Sequence, residues 1–170
     1  MIFNIKKHKP ILYNTLLSLS RNIFFYKDIK LIDNFETRIY LMFIHFSIMM
    51  IIFKKKKKHF NQDYYDQFFF NIENNLRELG FGDVSVNKKM KELNKVLYDI
   101  LLKLDVEQKN IIKINKKLVF KYFPYLNDEN SNKFNNFETY FIEFYKFCFD
   151  LSLDIMVKKA INFKYKNGSS

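Results

Sequence analysis

Cysteine, glycine and proline are all scarce in this chain, and each scarcity excludes something. Cys148 is the single cysteine, so no intrachain disulfide and no multi-cysteine metal site can form, a usage that fits a reducing compartment. His8, His45 and His59 are too scattered to suggest a metal site by spacing. No metal and no cofactor is expected. Tryptophan is absent, and three glycines and two prolines are few enough that each becomes informative. Strand alternation of useful length and any fixed-period repeat are missing, and an Asn-Gly hairpin signal occurs only at Asn167-Gly168.

What the chain has in abundance is lysine and aromatic side chains. At 170 residues it fits a single domain, 1–170, able to bury a core without disulfides. The formal net charge is +11, which speaks to partners rather than to fold. Residues 1–60 hold twelve Lys or Arg against Asp28, Asp33 and Glu36, whereas the other 110 hold seventeen against fifteen. The basic excess therefore belongs to the N-terminal third and would attract anionic lipid, ribosomal RNA or acidic protein segments. Lys, Asn, Ile, Phe and Tyr all use AT-rich codons, so part of the lysine content needs no functional explanation. The run Lys54, Lys55, Lys56, Lys57 and Lys58 stands apart because it is concentrated at one place.

Just before that run, an apolar stretch from Ile39 to Phe53 is broken by His45 and Ser47. A bilayer core needs roughly 20 apolar residues in a helix, so the stretch is a poor span and reads as a central buried helix. The other reading is a helix lying in the membrane interface. A signal peptide would place such a run nearer the start, followed by a cleavage site.

Helical spacing accounts for most of the chain. A first helix opens at Pro10, carries Leu12, Leu16, Leu19 and Ile23 on one face, and ends near Tyr26. Asp33 with Glu36 reads as a capping box for the second helix. Asn61 or Asp63 caps a third, whose stripe is Tyr65, Phe69, Ile72, Leu76 and Leu79. Gly80 ends that helix, and Gly82 allows a second sharp turn before Ser85 caps a fourth with the seam Val86, Met90, Leu93, Leu97, Ile100 and Leu104. Asp105 with Gln108 reads as a capping box for a fifth helix that ends before Pro124. Residues 127–132 read as a loop. The last helix follows the seam Phe134, Phe137, Phe141, Phe144, Cys148, Leu151 and Ile155, and is apolar over more than one face. Residues 167–170 read as a frayed tail. The fold class expected is all-α, a single helical bundle of about six helices.

The most informative stretch is Leu76-Arg77-Glu78-Leu79-Gly80-Phe81-Gly82-Asp83-Val84-Ser85-Val86-Asn87-Lys88-Lys89-Met90-Lys91. It resembles the signature of the ubiquinol-cytochrome c chaperone family: a leucine-arginine-glutamate run, two spaced glycines, an aspartate and a lysine cluster. Upstream, Arg21, Phe25 with Tyr26, Asp33, Arg38 and His45 are similar to the family's arginine, aromatic pair, aspartate, arginine and histidine at like intervals. The resemblance covers roughly residues 11–104 and fades beyond Asp105. Asn87 and Asp99 depart from it, each standing where the family usually has glycine.

The resemblance implies assembly work. Its members bind newly made cytochrome b at the inner membrane, keep it competent for haem insertion and pass it to the bc1 complex, respiratory complex III. It implies cytochrome b as client, a small partner assembly factor and the ribosome as further contacts, and no DNA. It also implies the cytoplasmic face of a bacterial inner membrane, or the matrix side in a mitochondrion. The residues expected to meet client or partner are Arg77, Glu78, Gly80, Gly82, Asp83, Lys88 and Lys89, and those expected at a membrane or ribosome surface are Lys54 to Lys58. A tight turn in which Asp83 and Ser85 satisfy backbone amides and Arg77 pairs with a carboxylate accounts for the same corner in structural terms.

An enzyme has little support in these residues. Walker spacing is absent around the glycines, Ser20 and Ser47 have no His and carboxylate at motif spacing, and Glu138 and Glu143 do not form the Glu-x-x-His pattern of di-iron bundles. His45 in an apolar helix reads as a hydrogen-bonded core residue rather than a haem ligand, and Cys148 as an inert buried thiol. The alternative function is a basic helical protein that binds RNA or the ribosome without a cytochrome b client.

Overall fold

The computed structural model describes residues 10–107 and 111–166; the expected tail at 167–170 lies outside them. In chain order the elements are α1 Ile11–Ser20, α2 Ile23–Lys27, α3 Phe35–Lys55, α4 Gln62–Glu78, α5 Asp83–Lys103, β1 Asp105–Glu107, β2 Ile111–Lys113 and α6 Lys116–Tyr122. A 3-10 turn, Pro124–Leu126, then leads through the loop 127–132 to α7 Lys133–Phe149, α8 Leu153–Lys159 and a second 3-10 turn, Ala160–Asn162. The fold is all-α, a helical bundle, with one small antiparallel hairpin.

Helix α3 is the axis. Every residue from Leu41 to Met49 is buried, because α1, α5 and α7 pack around it. Each of those neighbours has a clear apolar stripe: Leu12, Leu16 and Leu19 on α1; Val86, Leu93, Leu97 and Ile100 on α5; Phe134, Phe137, Phe141, Phe144 and Cys148 on α7. Burying one such side chain stabilises the fold by roughly 1.5–3 kcal/mol. Among the described residues α3 is the one helix with the length and hydropathy of a membrane span, yet 67% of its most apolar window is buried against the other helices. The interior position expected for this helix is the one it takes.

Several boundaries differ from the sequence reading, each for a local reason. The first helix stops at Ser20, since Asn22 turns the chain and its side chain accepts from Phe24 N–H to start α2. Asn34 rather than Asp33 caps α3, accepting from Thr37 N–H at 2.9 Å, because the Asp33 carboxylate is taken by Arg38. The expected fifth helix begins only at Asn115, whose side chain accepts from Lys117 and Leu118 N–H. Ahead of it, Val106 and Ile112 pair as a hairpin with register Asp105↔Lys113 and Glu107↔Ile111, and Ile112 is buried between exposed Ile111 and Lys113. Asp105 thus lies in a strand, and Gln108 lies outside the described residues. The last helix breaks at residues 150–152, so Ile155 leaves the seam and is 41% exposed.

The two glycines behave differently. Gly80 has φ +94°, and the turn after α4 is closed by Gly80 N–H to Arg77 O at 3.0 Å and Phe81 N–H to Leu76 O at 3.2 Å, the paired bonds of a glycine-terminated helix end. Gly82 instead has φ −73° and ψ 167° and is itself the N-cap of α5. Ser85 lies inside that helix, so the sharp turn expected at Gly82 is not there. Lys57 carries the same device as Gly80 without a glycine: φ is 55°, with Lys57 N–H to Lys54 O and Lys58 N–H to Phe53 O closing α3.

Gly80→Ala forces a Cβ into the left-handed region and is expected to cost about 1–2 kcal/mol, although no atom lies within 4 Å of that Cβ. Gly82→Ser keeps its backbone and adds a capping hydroxyl, for a gain of a few tenths of a kcal/mol. Urea denaturation of the two variants should therefore move in opposite directions, and equal losses would refute the asymmetry.

Candidate functional site

The sequence-expected residues separate into three places. The first is the core. Phe25 is fully buried and meets the His45 ring edge-on at 6.1 Å and 89°. His45, also fully buried, uses both nitrogens: Nδ1 lies 2.7 Å from Leu41 O and Nε2 lies 2.9 Å from the Tyr140 hydroxyl. The tautomer that satisfies both partners has Nδ1–H donating to the carbonyl and Nε2 accepting from tyrosine. Burial pushes the His45 pKa down to about 3, so the ring is neutral and joins α3 to α7. With neither nitrogen free and no solvent access, this histidine is a structural tie rather than a ligand. Cys148 is likewise enclosed, and burial pushes its thiol far up. Tyr140 lies off the phenylalanine seam, 95 positions from His45 in sequence, and no local spacing links the two.

The second place is a groove between α1, the start of α3 and the end of α4, with a volume near 570 Å³. Tyr13 and Leu17 come from α1, Ile39 and Met42 from α3, and Asn75 and Leu79 from α4; Arg21, Asp33, Arg38 and Glu78 set charges around them. Positions distant in sequence thus meet at one opening. Arg38 donates to one oxygen of Asp33 twice, from Nη2 at 2.6 Å and Nε at 2.7 Å. Tyr26 donates to Ser20 O at 2.7 Å, and its pKa is raised to about 12 by burial and by the nearby Asp33 charge. Tyr13 and Asn75 are hydrogen-bonded across the groove. Both had been missed, for no spacing rule links residues 62 apart in sequence. Leu79, expected on the core stripe, is instead 59% exposed at the rim.

The charged corner after α4 is only partly shared with this groove. Arg77 is held by Glu73 at 3.2 Å and by Asp83, which is the structural reading of the turn. Lys89 reaches across to Glu36 at 3.3 Å, and Lys88 is exposed. Of the seven corner residues, Glu78 alone lines the groove. Asp99, where glycine was expected, joins α5 to α6 by accepting from Lys103 at 2.5 Å, from Lys121 at 2.8 Å and from Tyr122.

The third place is the lysine run, which does not act as one block. Lys56 Nζ donates to Phe149 O at 2.6 Å and Leu151 O at 3.0 Å and sits over the Phe149 ring at 4.8 Å. It satisfies carbonyls left open at the end of α7. Lys54, Lys55, Lys57 and Lys58 line a separate groove on the same end of the bundle. Among the described residues, no group of three or more His, Cys, Asp or Glu is placed to hold a metal ion.

Residues 27–109, just under half of the chain, match the family model described as Ubiquinol-cytochrome C chaperone. The matched segment runs from the end of α2 through α3, α4 and α5 into the hairpin, and so includes two of the groove's three walls. Arg21, Phe25 and Tyr26 lie ahead of it. No curated protein and no solved structure matches the chain.

His45 has a folded pKa near 3 against an ordinary 6.5, so its contribution is whole above pH 6.5 and is lost as pH falls from 6.5 toward 3. The slope from this residue is at most about 1.4 kcal/mol per pH unit. Asp99, held well below the usual carboxylate range by Lys103 and Lys121, adds a further loss only below pH 3.8. Urea midpoints between pH 7 and 4 are expected to fall for the wild type and much less for His45→Gln; parallel curves would contradict the buried neutral ring.

Proposed function

Proceeding from residues 27–109 as a ubiquinol-cytochrome c chaperone segment, we propose that this protein is an assembly chaperone of the cytochrome bc1 complex whose client is newly made cytochrome b. The family match carries this reading, and the groove supports it. Its floor of Leu17, Ile39 and Met42 offers apolar contact, with Leu79 at the edge, while Arg21, Arg38, Asp33 and Glu78 put both signs of charge at the rim. A membrane-protein segment before insertion or assembly needs that combination: cover for apolar side chains, and polar partners for the residues that flank them. Binding, not bond-making, is the work such a groove can do.

The protein works beside the inner membrane, where its client is inserted, on the cytoplasmic side in a bacterium or the matrix side in a mitochondrion. A small partner protein and the ribosome are the further contacts this role entails.

Deleting the gene should lower both cytochrome b and bc1 activity, and wild-type protein should restore them. Glu78→Arg, an exposed substitution expected to shift stability by less than about 0.5 kcal/mol, should restore them poorly while its thermal midpoint stays near wild type. Normal cytochrome b and bc1 activity in the deletion strain would overturn the function; full rescue by Glu78→Arg would remove the groove from it.

A further inference from the structure

The end of the bundle where α3 and α5 finish holds a groove of about 860 Å³, within the roughly 300–1,000 Å³ of small-molecule sites. Its floor is apolar, with Met50 and Ile51 from α3, Phe60 from the following turn, Leu101 from α5 and Leu104 directly after it. Phe60 packs edge-on against Phe53 at 5.1 Å, so these rings are engaged with each other rather than spread as a stacking platform. Lys54, Lys55, Lys57 and Lys58 form the rim, His59 lies beside them, and no carboxylate is among the lining residues. Leu102 stands at the edge, 81% exposed. Two local devices fix this rim: Lys56 is clamped to the end of α7, and the left-handed Lys57 turns the chain directly after α3.

An occupant must match an apolar trough bordered by cations alone. We infer that the groove accepts one acyl chain of an anionic phospholipid from the membrane surface, with the lipid phosphate at Lys54, Lys57 and Lys58 and Leu102 entering the bilayer. Lysines are suited to this as compact point charges attracted to an anionic surface. Nucleic acid fits less well, because neither a free aromatic face nor an arginine lines the groove. Residues 1–9 carry Lys6, Lys7 and Lys9 and no carboxylate, so that segment of the chain would bring like charge.

This inference rests on the membrane placement proposed above and specifies the contact. Because the chain has no tryptophan, Leu102→Trp creates a single fluorescent reporter at an exposed position. The full-length protein should float with phosphatidylcholine vesicles that contain phosphatidylglycerol and not with phosphatidylcholine alone. Leu102→Trp fluorescence should shift to the blue and be quenched by phosphatidylglycerol brominated on its acyl chains. Lys54→Gln/Lys57→Gln/Lys58→Gln together, or Leu102→Asp alone, should reduce flotation at least tenfold, whereas Lys158→Gln/Lys159→Gln on α8 should not.

Flotation lost in the lysine variant but unaffected by Leu102→Asp, with unquenched tryptophan, would mean charge attraction without an occupied groove and would overturn the inference. So would equal binding to both vesicle types, or displacement from vesicles by a soluble poly-glutamate peptide that alone shifts the tryptophan emission. Purified vesicles contain no cytochrome b, so failure here leaves the client reading standing, and loss of the client reading leaves this measurement intact.

Discussion

Helix α3 presents no continuous face to water, and the rest of the molecule is arranged by that fact. A helix apolar all round must be enclosed, which requires neighbours with complementary stripes on several sides. The chain supplies them as α1, α5 and α7. Polar groups carried into such an interior must find partners within it. His45 does so through Leu41 and Tyr140, and Thr15 does so by donating to Val157 O at 2.9 Å, which ties α1 to α8. Ser47 Oγ and the Tyr145 hydroxyl are enclosed without a hydrogen-bond partner.

Enclosing α3 also decides where charge can go. Its middle can hold none, so its ionic groups fall at its two ends: Glu36 and Arg38 at the start, the lysines at the finish. At the start, the arrival of α1 and α4 leaves a groove with mixed charge over an apolar floor. At the finish, α5 arrives alongside and leaves a groove with one sign of charge. The two ends of one buried helix thereby become chemically different surfaces, one of mixed charge and one basic.

The positions singled out by the family pattern divide along the same line. Phe25 and His45 lie in the core and hold α2, α3 and α7 together, while Arg21, Asp33 and Arg38 stand around the first groove. The corner built on Gly80 does less presenting than its charge suggested, for Arg77 and Lys89 are both occupied by carboxylates of this chain.

Local chemistry alone determined the helical class, the stop at Gly80, the stripes on α4 and α5, the interior fate of the run from Ile39 to Phe53 and the resemblance carried by Leu76 to Lys91, because each is written in spacing that neighbouring residues express by themselves. Competition among partners decided the rest. Asp33 could cap α3 or pair with Arg38, and the arginine took it; Lys56 could face solvent or the end of α7, and the carbonyls took it. The segment after Asp105 could begin a helix or a hairpin, and burial of Ile112 favoured the strand. Tyr140 against His45, and Tyr13 against Asn75, join residues 95 and 62 positions apart, and only packing of the finished helices brings such pairs within reach.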